Sequence, residues 1–246
     1  MRYKKAPILE AVLEFRWDSA KSLDQLERVL SLPEFEGFEP PTPRMRIDAS
    51  IDMDNNSMSH NSQQLGYAVT KRDGSEVVFL EEQGFIFVQR APYDRWDHFS
   101  GRALSLLEPT VTELEAAEFA RVGLRFINRI DIPHSGDAAA DINDYFTVNF
   151  DGPRQDIGII DEFQMRVVKP TKKTGLSYAL ILATTPSPLP DHTAVLLDID
   201  VFTRVPLAAK DKKLRNWLGQ MRIEKNDIFK KCLTKKSRSL FGGVEK

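Results

Sequence analysis

The chain has almost no cysteine. Cys232 stands alone among 246 residues, so no internal disulfide can close and no cysteine-rich metal site can be assembled. It lies in Phe229-Lys230-Lys231-Cys232-Leu233, a helical-looking stretch where a lone thiol reads as a small buried hydrophobe. Net charge is equally scarce. Lys+Arg number 34 against 36 Asp+Glu, which leaves a formal charge of -2 and a pI near 6.1. That balance lacks the basic footprint of a nucleic-acid-binding domain and leaves only local patches to meet phosphate. No apolar run approaches the ~18 residues a membrane helix needs, and Met1-Arg2-Tyr3-Lys4-Lys5-Ala6-Pro7 has no apolar signal core behind its charges. The expected location is the cytoplasm, and no membrane partner is expected. His60, His98, His134 and His192 show no i,i+3 or i,i+4 pairing, so no helical metal site is indicated. Gly-x-Gly-x-x-Gly, Gly-x-x-x-x-Gly-Lys and Gly-x-Ser-x-Gly are all missing, which lowers the nucleotide and hydrolase readings. No cofactor is expected.

What the chain does have is an ordinary globular composition, 41% apolar and 28% charged, so the whole of it should fold. Its length allows one large domain or two smaller ones. Over 8–18, Ala11, Leu13, Phe15 and Trp17 alternate with Val12, Glu14, Arg16 and Asp18, the period of a half-buried strand. Ser22 then precedes Leu23, Leu26, Val29 and Leu30 at helical spacing, with Gln25 completing a capping box and Pro33 ending the helix. Alternation over 45–53 predicts a second strand, followed by turn residues at 54–57. Further strands are predicted at 64–71, 76–82 and 84–90, and a long helix over 95–117 that Pro109 should kink or interrupt.

The order then recurs. A strand from 119 to 130, a short helix near 141–146, strands at 156–169, 176–185 and 192–202, and a closing helix over 206–233 make a second half like the first. The sequence therefore predicts an α+β protein of two similar halves, 1–118 and 119–246, together forming one continuous unit. Each half is strand, helix, antiparallel meander, helix, which usually gives a curved sheet covered by helices on one face. The arrangement is similar to TATA-binding-protein-like and helix-grip folds at the level of topology alone.

Three separated segments carry a further likeness. They are Ala6-Pro7-Ile8-Leu9-Glu10-Ala11-Val12-Leu13-Glu14-Phe15-Arg16, then Pro92-Tyr93-Asp94-Arg95-Trp96 together with Arg121-Val122-Gly123-Leu124-Arg125-Phe126-Ile127-Asn128-Arg129-Ile130, and last Ile228-Phe229 with Leu233-Thr234. In that order they resemble an uncharacterised, sporadically distributed prokaryotic protein family of about this length. Phe126 stands where the family usually has Tyr, which argues against a catalytic phenol at that position. The resemblance brings no assigned catalytic residue with it.

Charge points to the remaining candidates. Arg121, Arg125 and Arg129 share one face of their strand and can clamp a phosphate or carboxylate. If the first strands of the two halves lie side by side, however, Glu10, Glu14 and Arg16 face Arg125, Arg129 and Asp131, and the arginines form a seam between the halves. Asn128, on the apolar side, needs hydrogen-bond partners there and is expected to tie down a neighbouring loop. Asp198 and Asp200, like Asp48 and Asp52, share a face and could hold Mg²⁺. With the glutamates and arginines they suggest a triphosphate-tunnel phosphohydrolase, although the opening lacks Glu-x-Glu-x-Lys. Near the C-terminus Lys225, Lys230, Lys231, Lys235 and Lys236 form a basic stretch able to track nucleic-acid phosphate. The leading functional expectation is a non-enzymatic binding or assembly module whose partner is another protein or a second copy of the chain. The metal-dependent phosphohydrolase and the nucleic-acid binder are the alternatives.

Overall fold

The computed structural model describes residues 3–52, 55, 57–134, 140–148, 162–211 and 213–242. Strand β1 (Ile8–Trp17) leads to helix α1 (Leu23–Leu30), and the meander β2 (Thr42–Asp52), β3 (Ser57–Thr70), β4 (Glu76–Glu81) and β5 (Gly84–Arg90) follows. Helix α2 (Trp96–Glu113) connects to the long β6 (Glu118–Pro133). Next come β7 (Gln164–Pro170), β8 (Ser177–Thr185), β9 (His192–Thr203) and the two-residue β10 (Leu207–Ala208). Helices α3 (Leu214–Cys232) and α4 (Lys235–Leu240) complete the described chain. None of these helices is long and apolar enough to cross a membrane.

All of the strands join one antiparallel sheet in the order β2-β3-β4-β5-β1-β6-β9-β8-β7, with β10 beside β6 off that path. The sheet is open, ending at β2 and β7. In the first part of the chain the last meander strand, β5, returns beside β1; in the second, β9 returns beside β6. The strand order therefore mirrors itself about the β1–β6 junction.

Alternation decides which face is covered. Leu13 and Phe15 of β1, Phe85 and Phe87 of β5, Leu124 and Phe126 of β6, and Leu197 and Ile199 of β9 are all buried in one cluster. Phe99, Ala103 and Leu107 of α2 and Leu214, Leu218 and Met221 of α3 belong to the same cluster. The strands show their charged residues on the opposite face. The capping box at Ser22 is formed, with Ser22 and Gln25 bonded reciprocally, and α1 stops at Ser31 before Pro33.

Several expectations are corrected. Helix α2 runs through Pro109 without interruption. Leu106, Leu107, Thr110 and Val111 are buried on both sides of the proline and hold the helix, while Ser105, whose carbonyl loses its i+4 donor, is exposed. The closing helix begins at Leu214, because 207–208 pairs with β6 instead. The short helix near 141–146 is a single 3₁₀ turn, Ile142–Asp144, and a small helix, α4, follows α3. Strand β3 begins at Ser57, so β2 and β3 pair from Asp52↔Ser57 to Thr42↔Ala68, whereas β4 covers only 66–70 of β3. The outer part of this pair is a two-stranded ribbon carrying exposed Met45, Ile47 and Met58. Residues 156–161 of the predicted strand at 156–169 lie outside the described residues.

Candidate functional site

The arginine strand lies on the uncovered face, where β1 and β6 pair along nearly their whole length. The register differs from the one the charges suggested. Val12 stands opposite Arg125, Glu14 opposite Gly123, and Arg16 opposite Arg121. The ion pairs consequently run diagonally. Arg121 contacts Glu14 of β1 and bonds Asp200 of β9 at 2.6 Å. It crosses Gly123 to do so: a Cβ at that glycine would fall 2.6 Å from Arg121 Nη1. Arg125 holds Asp198 with Nε and Nη2 at 2.6–3.0 Å, a bidentate clamp on a carboxylate that is 7% exposed. Arg129 turns to Asp131 of its own strand at 3.2 Å. Arg16 joins Glu14 at 2.7 Å and also Glu81, which Arg44 reaches at 2.5 Å. Glu10 lies 3.9 Å from Arg90 on the other side of β1.

Each base in this ladder meets an acid. Asp198 and Asp200 share a face as expected, but guanidinium groups take up both, and burial raises the Asp200 carboxyl pKa against the pull of Arg121 and Arg125. No group of three or more potential metal ligands occurs among the described residues. The open sheet also encloses no tunnel there. Of the Asp48 and Asp52 pair, Asp48 is exposed and bonds Arg46 at 2.8 Å.

The basic stretch near the C-terminus is dispersed by the fold. Lys231 pairs with Asp227 at 2.5 Å, and Lys236 pairs with Asp144 at 2.7 Å beside the Tyr145 ring. Lys230 and Lys235 are exposed. Lys225 points somewhere else entirely. It occupies the apolar stripe of α3, four residues after Met221 and four before Phe229, and so turns inward.

Lys225 opens into a cavity of about 680 Å³. Its walls come from the segment before β1 (Tyr3 to Pro7), the β5–α2 connection with its cis Ala91–Pro92 peptide, the middle of β6 and the second half of α3. Parts of three segments distant in sequence meet here: Ala6, Pro7 and Ile8; Pro92 to Trp96 with Phe126 and Asn128; and Phe229. Backbone bonds fix the walls, with Arg129 N–H donating to Pro7 O at 2.9 Å and Ala91 N–H to Leu9 O at 2.8 Å. Asn128 donates to Leu197 O at 2.9 Å, which ties β6 to β9 rather than to a loop.

Five cationic side chains, Lys4, Lys5, Arg95, Arg222 and Lys225, line the cavity against one carboxylate, Asp94. Asp94 lies 3.7 Å from Arg95 and 3.8 Å from His98. The rings of Tyr3, Tyr93, Trp96, Phe126 and Phe229 supply the flat apolar walls. Tyr93 packs edge-on against Phe126 at 5.4 Å, and the Arg222 guanidinium sits 5.3 Å from the Trp96 ring. The N-terminus of α2 opens at the same place, its N-cap residue Arg95 providing no side-chain cap, so the positive end of the helix dipole adds to the field.

The Lys225 side chain is half-buried where it lines the cavity, with Nζ 3.7 Å from the centre of the Phe126 ring. Burial, helped by the Arg222 charge, pulls its pKa from 10.5 down to about 7. Burial also keeps the Tyr93 hydroxyl protonated well beyond its ordinary range. The buried Tyr3 hydroxyl has no hydrogen-bond partner among the described residues. Cys232, one turn beyond Phe229, is 4% exposed, and burial raises its thiol pKa to about 11, so it is no nucleophile. A smaller cavity of about 400 Å³ between α2 and the start of α3 has mixed walls, Leu104, Leu107, Val111 and Leu214 on one hand and Lys210, Asp211 and the Arg215–Glu108 pair at 3.1 Å on the other.

No family model matches this chain, and no curated protein matches it in sequence. The cavity geometry therefore carries the functional argument.

Proposed function

We propose that this protein is a binding module whose ligand is a small anion bearing a flat aromatic or apolar part, seated in the Lys225 cavity. One observation carries the reading: five cations and five aromatic rings converge on a single concave site that holds one carboxylate. Lys225 and Arg222 stand against aromatic walls, where a cation is costly unless an anion meets it, while the exposed Lys4, Lys5 and Arg95 add to the positive field, and the aromatic faces reward a planar partner. The resemblance to the prokaryotic family supports this reading, since some residues of each of its separated segments line the same cavity. Trp96 in the wall gives a direct readout. Titrating naphthyl phosphate and naphthoate should quench tryptophan fluorescence saturably, uncharged naphthyl esters should not, and Arg222→Gln should weaken binding about tenfold, as expected for loss of a charge-assisted contact. No saturable response to any of these anions would sink the reading.

A second reading, self-assembly, draws support from the β2–β3 ribbon. A two-stranded ribbon with Met45, Ile47 and Met58 exposed is marginal on its own and gains from a covering surface. We infer a second copy of the chain as that cover. Light scattering behind size exclusion should then show association that rises with concentration and is abolished by Ile47→Lys with Met58→Lys. A monomer at all concentrations excludes it. The mirrored strand order also supports an origin of the two halves, 1–118 and 119–246, by duplication.

A further inference from the structure

We propose that Lys225 is a covalent attachment site, its Nζ forming a reversible imine with the carbonyl carbon of an anionic aldehyde or 2-oxo acid held in the cavity. The inference rests on the reading of this cavity as an anion site and adds the class of ligand. Position singles out this lysine. Lys225 comes from the apolar stripe of α3, and no carboxylate lies within ion-pair distance of it among the described residues, Arg222 being the charge that acts on it. It stands over the Phe126 ring with Tyr93 and Trp96 around it, where water is poorly placed to hold its charge. Burial and the Arg222 charge lower the pKa of this lysine, which favours an activated amine. Lys4, Lys5, Arg95 and Arg222 remain to hold the ligand's phosphate or carboxylate, so the anion is bound without consuming the nucleophile. Attack by the Nζ lone pair makes the C–N bond and a carbinolamine. The nitrogen then loses its proton and the former carbonyl oxygen leaves as water, giving the imine with no oxidant or reductant required.

Pyridoxal 5′-phosphate is a suitable probe because it combines an aldehyde, a ring and a phosphate. The intact protein is incubated with a substoichiometric amount at neutral pH, reduced with cyanoborohydride and mapped by peptide mass. The expected result is one dominant adduct at Lys225, formed at least about tenfold faster than at exposed Lys230 of the same helix, which lies outside the cavity. Lys225→Arg and Lys225→Met should both lose it, circular dichroism establishing that they fold. An adduct spread over the exposed lysines, or one that persists in Lys225→Arg, overturns the proposal. Pyridoxine 5′-phosphate, which lacks the carbonyl, separates the two levels of inference. If it quenches Trp96 and competes with labelling elsewhere in the cavity while Lys225 stays unmodified, the imine falls and the anion site stands. If it does not bind and no adduct forms, both fall.

Discussion

Burial of the Lys225 amine couples the stability of the fold to pH. The unfolded chain keeps this proton to near 10.5, whereas the folded protein releases it near 7. Between those values the unfolded state binds more protons, so stability rises with pH across that window and is level below it. The full rise is on the order of a few kcal/mol. Lys225→Met removes the desolvation cost and should raise the urea midpoint at pH 7 while flattening its climb towards pH 10. An unchanged climb would mean the amine is not buried as described. On the other face, Arg125 and Arg129 look alike in sequence and differ in consequence. Arg125→Ala strands a nearly buried Asp198 and should cost about 1–3 kcal/mol, while Arg129→Ala, which releases the more accessible Asp131, should cost less than about 1 kcal/mol. Denaturant titration of the two variants gives the ranking directly. The arginine stripe and the Glu14 strand beside it were legible in the sequence, but which acid each arginine meets was not, because that depends on a register that one residue's slip would change.

At the scale of the element, α2 is the informative case. Pro109 reads as a break because it removes one intrahelical hydrogen bond and crowds the preceding turn. The helix continues because its buried residues on either side gain more from the core than the proline costs. Pro109→Ala should therefore raise the thermal midpoint, by about 1–3 kcal/mol of stability, without changing helix content by circular dichroism. A rise in helicity would show that the proline does interrupt α2 in solution. Helix α3 shows the converse. Its lysines look like a basic stripe when listed along the chain, whereas their helical phases differ: Lys225 shares the face of Leu218, Met221 and Cys232, and Lys230 does not. The sign that marks Lys225 is present in the sequence, a cation at the i+4 position between Met221 and Phe229, and a reading by residue type alone passes over it.

For the whole molecule, one sheet runs through both halves, and the β1–β6 pairing at its centre joins them. Phe15 of β1 packs against Phe119 of β6 with centroids 5.2 Å apart, so the core crosses the same junction. Urea unfolding should accordingly be a single transition, coincident by tryptophan fluorescence and by circular dichroism. Two separated transitions would show that the halves hold their structure independently. The cavity belongs to this scale too, since its walls come from residues as distant as Tyr3 and Phe229.

Local physics in the sequence determined the α+β class, the strand alternation that separates an apolar face from a charged one, the Ser22 capping box and the burial of Cys232. Those features depend on neighbours within a turn or a strand, where periods of 3.6 and 2 are visible directly. Tertiary structure decided which acid each arginine meets, whether the sheet closes, and that Lys4, Lys5, Arg95, Arg222 and Lys225 face one cavity. Each of those depends on long-range register and packing, which bring together residues whose spacing along the chain carries no period.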